Sequence, residues 1–241
     1  TVMQNEQLGT GHAVMQAQAE FSDAEQVLVL YGDVPLTQPA TLEQLLSCGD
    51  QNSLRILTTK LADPTGYGRI VRDEQNKVVC ITEQKDADEA TLKINEVNSG
   101  IMVLPAQWLS NSLSKLQNNN AQGEYYLTDM VALAVADGLA INTVCCDDNA
   151  EVAGVNTRQQ LAELERHYQL LQANTLMAAG VTLADPARLD IRGDITIGQD
   201  VTIDVNVILE GKVDIADNVT IAANCIIKDS SIATGTVILA N

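Results

Sequence analysis

Seven aliphatic residues fall at steps of six late in the chain: Ile191, Ile197, Ile203, Leu209, Ile215, Ile221 and Ile227. A second series, Ile195, Val201, Val207, Val213 and Val219, stands four residues after each of the first five. The residues between are mostly small, polar or acidic, as in Gly198-Gln199-Asp200 and Ala216-Asp217-Asn218. A period of this length is the hexapeptide signature of a parallel β-helix, in which three hexapeptides close one triangular coil with the aliphatic residues stacked inside. The rhythm slips by one near Ser230-Ser231, and the sequence stops at Asn241. The expectation is an uncapped coil with an open edge, hence a truncated C-terminus.

Upstream, residues 157–179 have helical spacing, with Leu161, Leu164, Tyr168 and Leu171 on one stripe. Thr157 with Gln160 makes a capping-box start and Gly180 a stop. At ~1.5 Å per residue the helix would run to roughly 35 Å, a length that suits a connector between domains. Before residue 156 short apolar runs alternate with longer mixed segments. Residues 27–31 (VLVLY) read as a buried parallel strand, because they are apolar without alternation. Residues 54–58 and 100–104 read the same way, and residues 40–46, 106–116 and 127–136 have helical spacing. Strand and helix in alternation predict an α/β layer fold with ligands beyond the carboxyl ends of its strands.

Composition narrows the function. The 241 residues carry 32 acidic and 14 basic side chains, a net charge of −18. Nucleic acid and anionic lipid both call for clustered Lys and Arg, so neither is an expected partner. The longest apolar run, residues 130–136, is too short to span a bilayer, and no signal peptide is visible. The chain opens at Thr1 without an initiator Met, so its start reads as cut or processed. Five cysteines form no Cys-x-x-Cys pair, and only His12 and His167 offer imidazoles. A zinc site and a disulfide framework are therefore not expected, and a reducing cytoplasm is.

Three clusters carry candidate chemistry. In QNEQLGTGHA, Gln4 can read a base edge bidentately, and the Gly9-Thr10-Gly11 turn admits a close ligand or is a simple turn. In YGDVPL, Asp33 follows an expected buried strand; it suits a hard divalent cation such as magnesium, or caps the next turn. The third cluster is dispersed: Gly66-Tyr67-Gly68-Arg69, Glu83, Asn98, residues 123–129 (GEYYLTD) and Gly154-Val155-Asn156. Bland readings exist for each: Glu83 as a solvated strand residue, Asn98 as a turn former, Asn156 as a helix cap.

Taken in order, QNEQLGTGHA, YGDVPL, DPTGYGRI, ITEQKDA, EVNSGI, NNNAQGEYYLTD, EVAGVN, DPAR and the hexapeptides resemble one family over essentially the whole chain. It is the bacterial bifunctional N-acetylglucosamine-1-phosphate uridylyltransferase and glucosamine-1-phosphate acetyltransferase. The resemblance implies an incomplete Rossmann-like nucleotidyltransferase sheet over 1–156, a linker helix over 157–180, and the start of a left-handed parallel β-helix over 181–241. It implies uridylyl transfer from UTP to N-acetylglucosamine 1-phosphate, giving UDP-N-acetylglucosamine (for peptidoglycan and lipopolysaccharide) and pyrophosphate. By motif, Gln4 is the expected uracil reader, helped by Gly9 and Thr10, with Tyr31 and Gly32 along the nucleotide. Asp33 and Asn156 are the expected magnesium ligands, and Gly68, Glu83 and Asn98 would hold the N-acetylglucosamine. A homotrimer and acetyl-CoA as second co-substrate, its site outside this chain, are implied as well.

The sequence departs from that pattern. It contains no LAAGxGTRM-like phosphate loop followed by a Pro-Lys pair, and no histidine after His167 to serve as an acetyl-transfer base. The expectation is an internal fragment that completes neither reaction, with His12 in a packing role and His167 on the surface. Two alternatives stand: another sugar-1-phosphate nucleotidyltransferase, or a non-catalytic hexapeptide module that only assembles trimers.

Overall fold

The computed structural model describes residues 1–240; Asn241, at which the solenoid was expected to stop, lies outside them. Contacts divide the chain into two compact units, Thr1–Val155 and the residues from Asn156 onward.

The first unit is built on a six-stranded mixed sheet. Its strands are β1 (Gln26–Val29), β2 (Leu54–Lys60), β3 (Arg69–Arg72), β4 (Val78–Thr82), β5 (Glu96–Pro105) and β6 (Ile141–Cys146). The order is β4-β3-β5-β2-β6, with β1 beside the far end of β5. Four helices accompany it: α1 (Thr10–Gln16), α2 (Pro39–Ser47), α3 (Ala106–Ser112) and α4 (Asp129–Ala136). Alternate residues of β5 feed opposite faces. Met102 and Leu104 join Leu54, Ile56, Leu109 and Met130 on one side, while Ile101 and Val103 join Leu45, Leu57 and Val144 on the other. Buried Arg55 clasps the end of α2 to β2 by donating to the Leu46 carbonyl at 2.8 Å and to the Asp50 carbonyl. A guanidinium at the negative end of a helix needs no carboxylate partner there.

Two expected strand directions are corrected. The apolar runs at 27–31 and 100–104 predict parallel strands, but β1 and β5 run antiparallel to each other, Val27 opposite Leu104. The β2–β5 pair is antiparallel too; only β2–β6 is parallel. An unbroken apolar run carries no information on strand direction. Nor is β1 buried: its four residues are half-buried and Leu30 beyond it is exposed. Within the described sheet β1 pairs with β5 alone.

The second unit opens with α5 (Arg158–Ala178). The Thr157 hydroxyl accepts from the Gln160 N–H at 3.1 Å, and Gln160 Oε1 accepts the Thr157 N–H at 3.0 Å, completing the expected capping box. Leu164, Gln169 and Ala173 are the buried residues of α5. Gln169 takes both polar groups of the Ile191 peptide, at 2.7 and 2.8 Å, and so pins the helix to the solenoid.

The solenoid comprises β7 (Thr182–Leu183), β8 (Leu189–Ile197), β9 (Thr202–Ile203), β10 (Val207–Ile215), β11 (Thr220–Ile221), β12 (Ile226–Ile232) and β13 (Val237–Ile238). All pairings are parallel, in sheets ordered β12-β10-β8 and β13-β11-β9-β7. Val207 stands opposite Leu189, three hexapeptides earlier, as a triangular coil requires. Three turns result, consistent with a left-handed β-helix. The hexapeptide aliphatics from Val201 to Ile227 fill the interior, with Ile195 and Ile197 half-buried at its start. Corners are turned by left-handed residues such as Asn206 and Asn224 (φ 59° and 65°), whose side chains bond to each other at 2.8 Å. The slip at Ser230-Ser231 is real: pairing shifts between Glu210 and Val213, where Asp229 alone spans Gly211 and Lys212. Asp229 takes φ 43° there and accepts the Lys212 N–H at 3.0 Å. No helix among the described residues is long and apolar enough to cross a membrane.

Candidate functional site

The loop from Gln4 to Gly11 is fastened to residues 123–127. Gly11 donates to the Tyr125 carbonyl at 2.8 Å, Tyr125 to the Leu8 carbonyl at 2.8 Å, and Leu127 to the Thr10 hydroxyl at 3.0 Å. Gly9 has φ 108°, and a Cβ there would lie 2.6 Å from the Tyr125 carbonyl oxygen, so this approach demands glycine. Gln4 Nε2 donates to the Gly9 carbonyl at 3.3 Å and stands 3.1 Å from His12 Nδ1. His12 also stacks on Tyr125, the packing role expected of it.

Beside this loop lies a cleft of about 620 Å³ whose lining includes Thr10, Tyr31, Gly32 and Asp33, with apolar walls from α1 and β1. Tyr31 lies against Gly100 of β5. Gly100 has φ +85°, and a Cβ on it would sit 2.4 Å from the Tyr31 ring. A left-handed glycine inside a strand thus makes room for an aromatic ring. Burial raises the Tyr31 phenol above its usual range, reinforced by the Glu83 charge.

Glu83 follows β4 directly, beside Gly68, which precedes β3. A Cβ on Gly68 would stand 3.2 Å from Glu83 Oε2. Glu83 Oε1 accepts the Thr128 hydroxyl at 2.9 Å. Burial pushes its carboxyl up, against the lowering pull of Thr128, and the charges of Asp129 and Asp86 push the same way as burial. Asn98 is buried in β5; its N–H donates to the Gly68 carbonyl at 2.9 Å, and its Oδ1 accepts the Gly100 N–H at 3.1 Å. The Asn98 amide group is left as the donor.

The bland readings of Glu83 and Asn98 are overturned: Glu83 is half-buried past a strand, and Asn98 is inside one. Capping by Asn156 is overturned too, since Thr157 is the cap. Asn156 lies exposed at the start of the second unit. His167, expected on the surface, is half-buried. The structure thus groups Thr10, Tyr31, Gly32 and Asp33 along one cleft, and joins Gly68, Glu83 and Asn98 to it through Tyr31 and Gly100.

Residues 126–129 contribute side chains that had been given no role. Burial pushes the Tyr126 phenol up to about 12, with help from Asp86, Glu83 and Glu124. Asp129 is raised by burial and by Asp86. The GEYYLTD stretch flagged this segment, but only the fold shows Thr128 reaching Glu83.

The Asp33 carboxylate is exposed, borders the cleft and has no hydrogen-bond or ion-pair partner among the described residues. A free carboxylate oxygen is donor chemistry that magnesium takes. Among the described residues no three His, Cys, Asp or Glu side chains converge as a metal cluster.

A mixed α/β sheet bordered by this apolar-walled cleft and, after it, a hexapeptide solenoid make two architectures in one chain. The family described as Nucleotidyl transferase matches residues 1–150, and Bacterial transferase hexapeptide (six repeats) matches residues 194–229. The chain belongs to the nucleotidyl transferase family. It is similar to proteins named Bifunctional protein GlmU: 58% identical over 240 residues to those of Pseudomonas putida and Pseudomonas syringae pv. tomato, and 59% to that of Pseudomonas fluorescens. These alignments cover 100% of this chain and 52% of each relative, so the chain spans about half the length of the relatives it matches.

Proposed function

We propose that the first unit handles UTP and N-acetylglucosamine 1-phosphate, and that the protein containing it makes UDP-N-acetylglucosamine and pyrophosphate. The observation that carries this reading is the joining of Glu83, Asn98 and Gly68 to the Tyr31–Asp33 cleft. An acceptor, a donor and a bare backbone stand together next to a nucleotide-sized hollow. Gln4, with Gly9 and Thr10, reads the uracil edge; Tyr31 and Gly32 run along the nucleotide. Glu83, Asn98 and Gly68 receive the hydroxyl and N-acetyl groups of the sugar.

In the reaction a phosphate oxygen of the sugar phosphate forms a bond to the α-phosphorus of UTP. The bond from that phosphorus to the oxygen bridging to the β-phosphate breaks, and pyrophosphate leaves with the electron pair. No side-chain nucleophile is needed, so the residues act by positioning. Asp33 and Asn156 would hold magnesium, which when bound neutralises phosphate charge.

The domain limits proposed are 1–156, 157–180 and 181–241, the last being the start of an acetyltransferase solenoid whose acetyl-CoA site lies outside this chain. A cytoplasmic homotrimer completes the reading. Thermal denaturation with sugar nucleotides tests it. UDP-N-acetylglucosamine with magnesium is expected to raise the melting temperature, while UDP-glucose and ADP-glucose leave it near the unliganded value. Equal stabilisation by all three would point to another sugar nucleotidyltransferase, and no stabilisation to a non-catalytic module.

A further inference from the structure

We propose that Glu151 is the positioning residue that holds the Asp33 loop in a cation-ready shape. The inference rests on the reading of Asp33 as a cation ligand. Glu151 lies in the 3₁₀ turn Asn149–Val152 after β6. That turn is itself anchored: Asp148 accepts the Ala150 N–H at 3.0 Å, and the Thr59 hydroxyl reaches both the Cys146 carbonyl at 3.1 Å and Asn149 Oδ1.

From this fixed base Glu151 grips the far end of the 33–38 loop. Its Oε2 accepts the Thr41 hydroxyl at 2.6 Å and the Gln38 N–H at 3.3 Å, and its carbonyl accepts the Thr37 hydroxyl at 3.0 Å. Gln38 is the N-cap of α2 but supplies no side-chain cap, so Glu151 provides the acceptor that this helix start lacks. The near end is held by the same stretch, because the Val155 N–H donates to the Asp33 carbonyl at 2.8 Å.

Residues 151–155 therefore clamp the loop at both ends while leaving the Asp33 carboxylate unengaged. A carboxylate on a slack turn would lose conformational freedom on capturing a cation; on a braced turn most of that loss has occurred during folding. Glu151 reaches the cation only through Asp33, and the bracing uses Glu151 as an acceptor, not as a charge.

The test uses the 241-residue chain with UDP-N-acetylglucosamine and Mn²⁺ as a spectroscopic probe, plus amide hydrogen exchange without ligand. Glu151→Ala is expected to speed exchange of the Val34, Leu36, Thr37, Gln38 and Val155 amides, with β2 and β5 unchanged, and to weaken Mn²⁺ binding about tenfold. Glu151→Gln, which keeps an acceptor oxygen, is expected to stay within about twofold of the unaltered chain on both readouts. Thr41→Val removes the shortest bond without touching Glu151 and is expected to shift both readouts in the direction of Glu151→Ala, which covers the case in which that variant does not fold. Unchanged loop exchange, unchanged Mn²⁺ affinity, or a Gln variant as impaired as the Ala variant would each overturn the proposal alone. Failure of the unaltered chain to bind Mn²⁺ would overturn the Asp33 reading, and this inference with it.

Discussion

At the scale of the residue, Glu83 shows how one carboxylate can work against the fold and for the site. Its carboxyl is raised by burial, so the folded chain holds that proton more tightly than the unfolded chain does. The associated stability is fully present below the unfolded pKa and is lost as pH climbs through the raised folded value. Above the unfolded pKa, burying this carboxyl is therefore a cost to the fold. Glu83→Gln keeps an acceptor for Thr128 and removes that cost. Its melting temperature at pH 7 is expected to exceed that of the unaltered chain by a few degrees, with the gap closing on acidification through the carboxylate range. The same variant is expected to lose the response to UDP-N-acetylglucosamine. A lower melting temperature at pH 7 would contradict the account. Asp33 is the complementary case, exposed and unpartnered. Asp33→Ala is expected to leave the ligand-free melting curve within about 0.5 kcal/mol of the original, as exposed positions do. It should abolish the magnesium-dependent part of the sugar-nucleotide shift; a full shift in that variant would remove Asp33 from the metal site.

At the scale of the element, the capping box of α5 makes a direct claim on stability. Thr157→Ala strips the acceptor from the Gln160 N–H and is expected to destabilise the second unit by about 1 kcal/mol. Denaturant melts followed by helical circular dichroism would show it; an unchanged midpoint would mean that tertiary packing through Gln169 alone holds the helix. This cap was legible because its residues stand three apart in sequence. The solenoid was legible for a related reason, since its interior repeats every six residues and even the one-residue slip left a trace in the spacing. The directions of β1 and β5 were not legible, because pairing partners are set by the route of the chain and not by local apolarity. The site divides in the same way. Gln4, Gly9 and Asp33 announced themselves through short motifs, whereas Thr128 on Glu83, and Glu151 on Thr37 and Thr41, join residues far apart in sequence. No local pattern marks a bond between positions 41 and 151.

At the scale of the whole molecule, net charge and exposed aliphatic surface pull in opposite directions. The chain carries −18, which keeps copies apart at low ionic strength. Yet Ile226 is 70% exposed on β12, in register with Ile208 and Asp190 on the outward side of its sheet, and Val237 and Leu239 are exposed farther along. Apolar side chains aligned on the outside of a solenoid are suited to lateral packing between copies. Repulsion between like-charged copies is screened at about 0.15 M salt, where the Debye length falls to ~8 Å, whereas burial of aliphatic surface is not weakened by salt. Association is therefore expected to strengthen as salt is added. Light scattering at that ionic strength is expected to give three times the 25.8 kDa chain mass. Ile226→Lys, an exposed change that leaves the interior intact, is expected to shift the distribution toward the single-chain mass. A strictly monomeric chain at high protein concentration and high salt would remove the trimer from the reading, and would leave the nucleotide site of the first unit to stand or fall on its own tests.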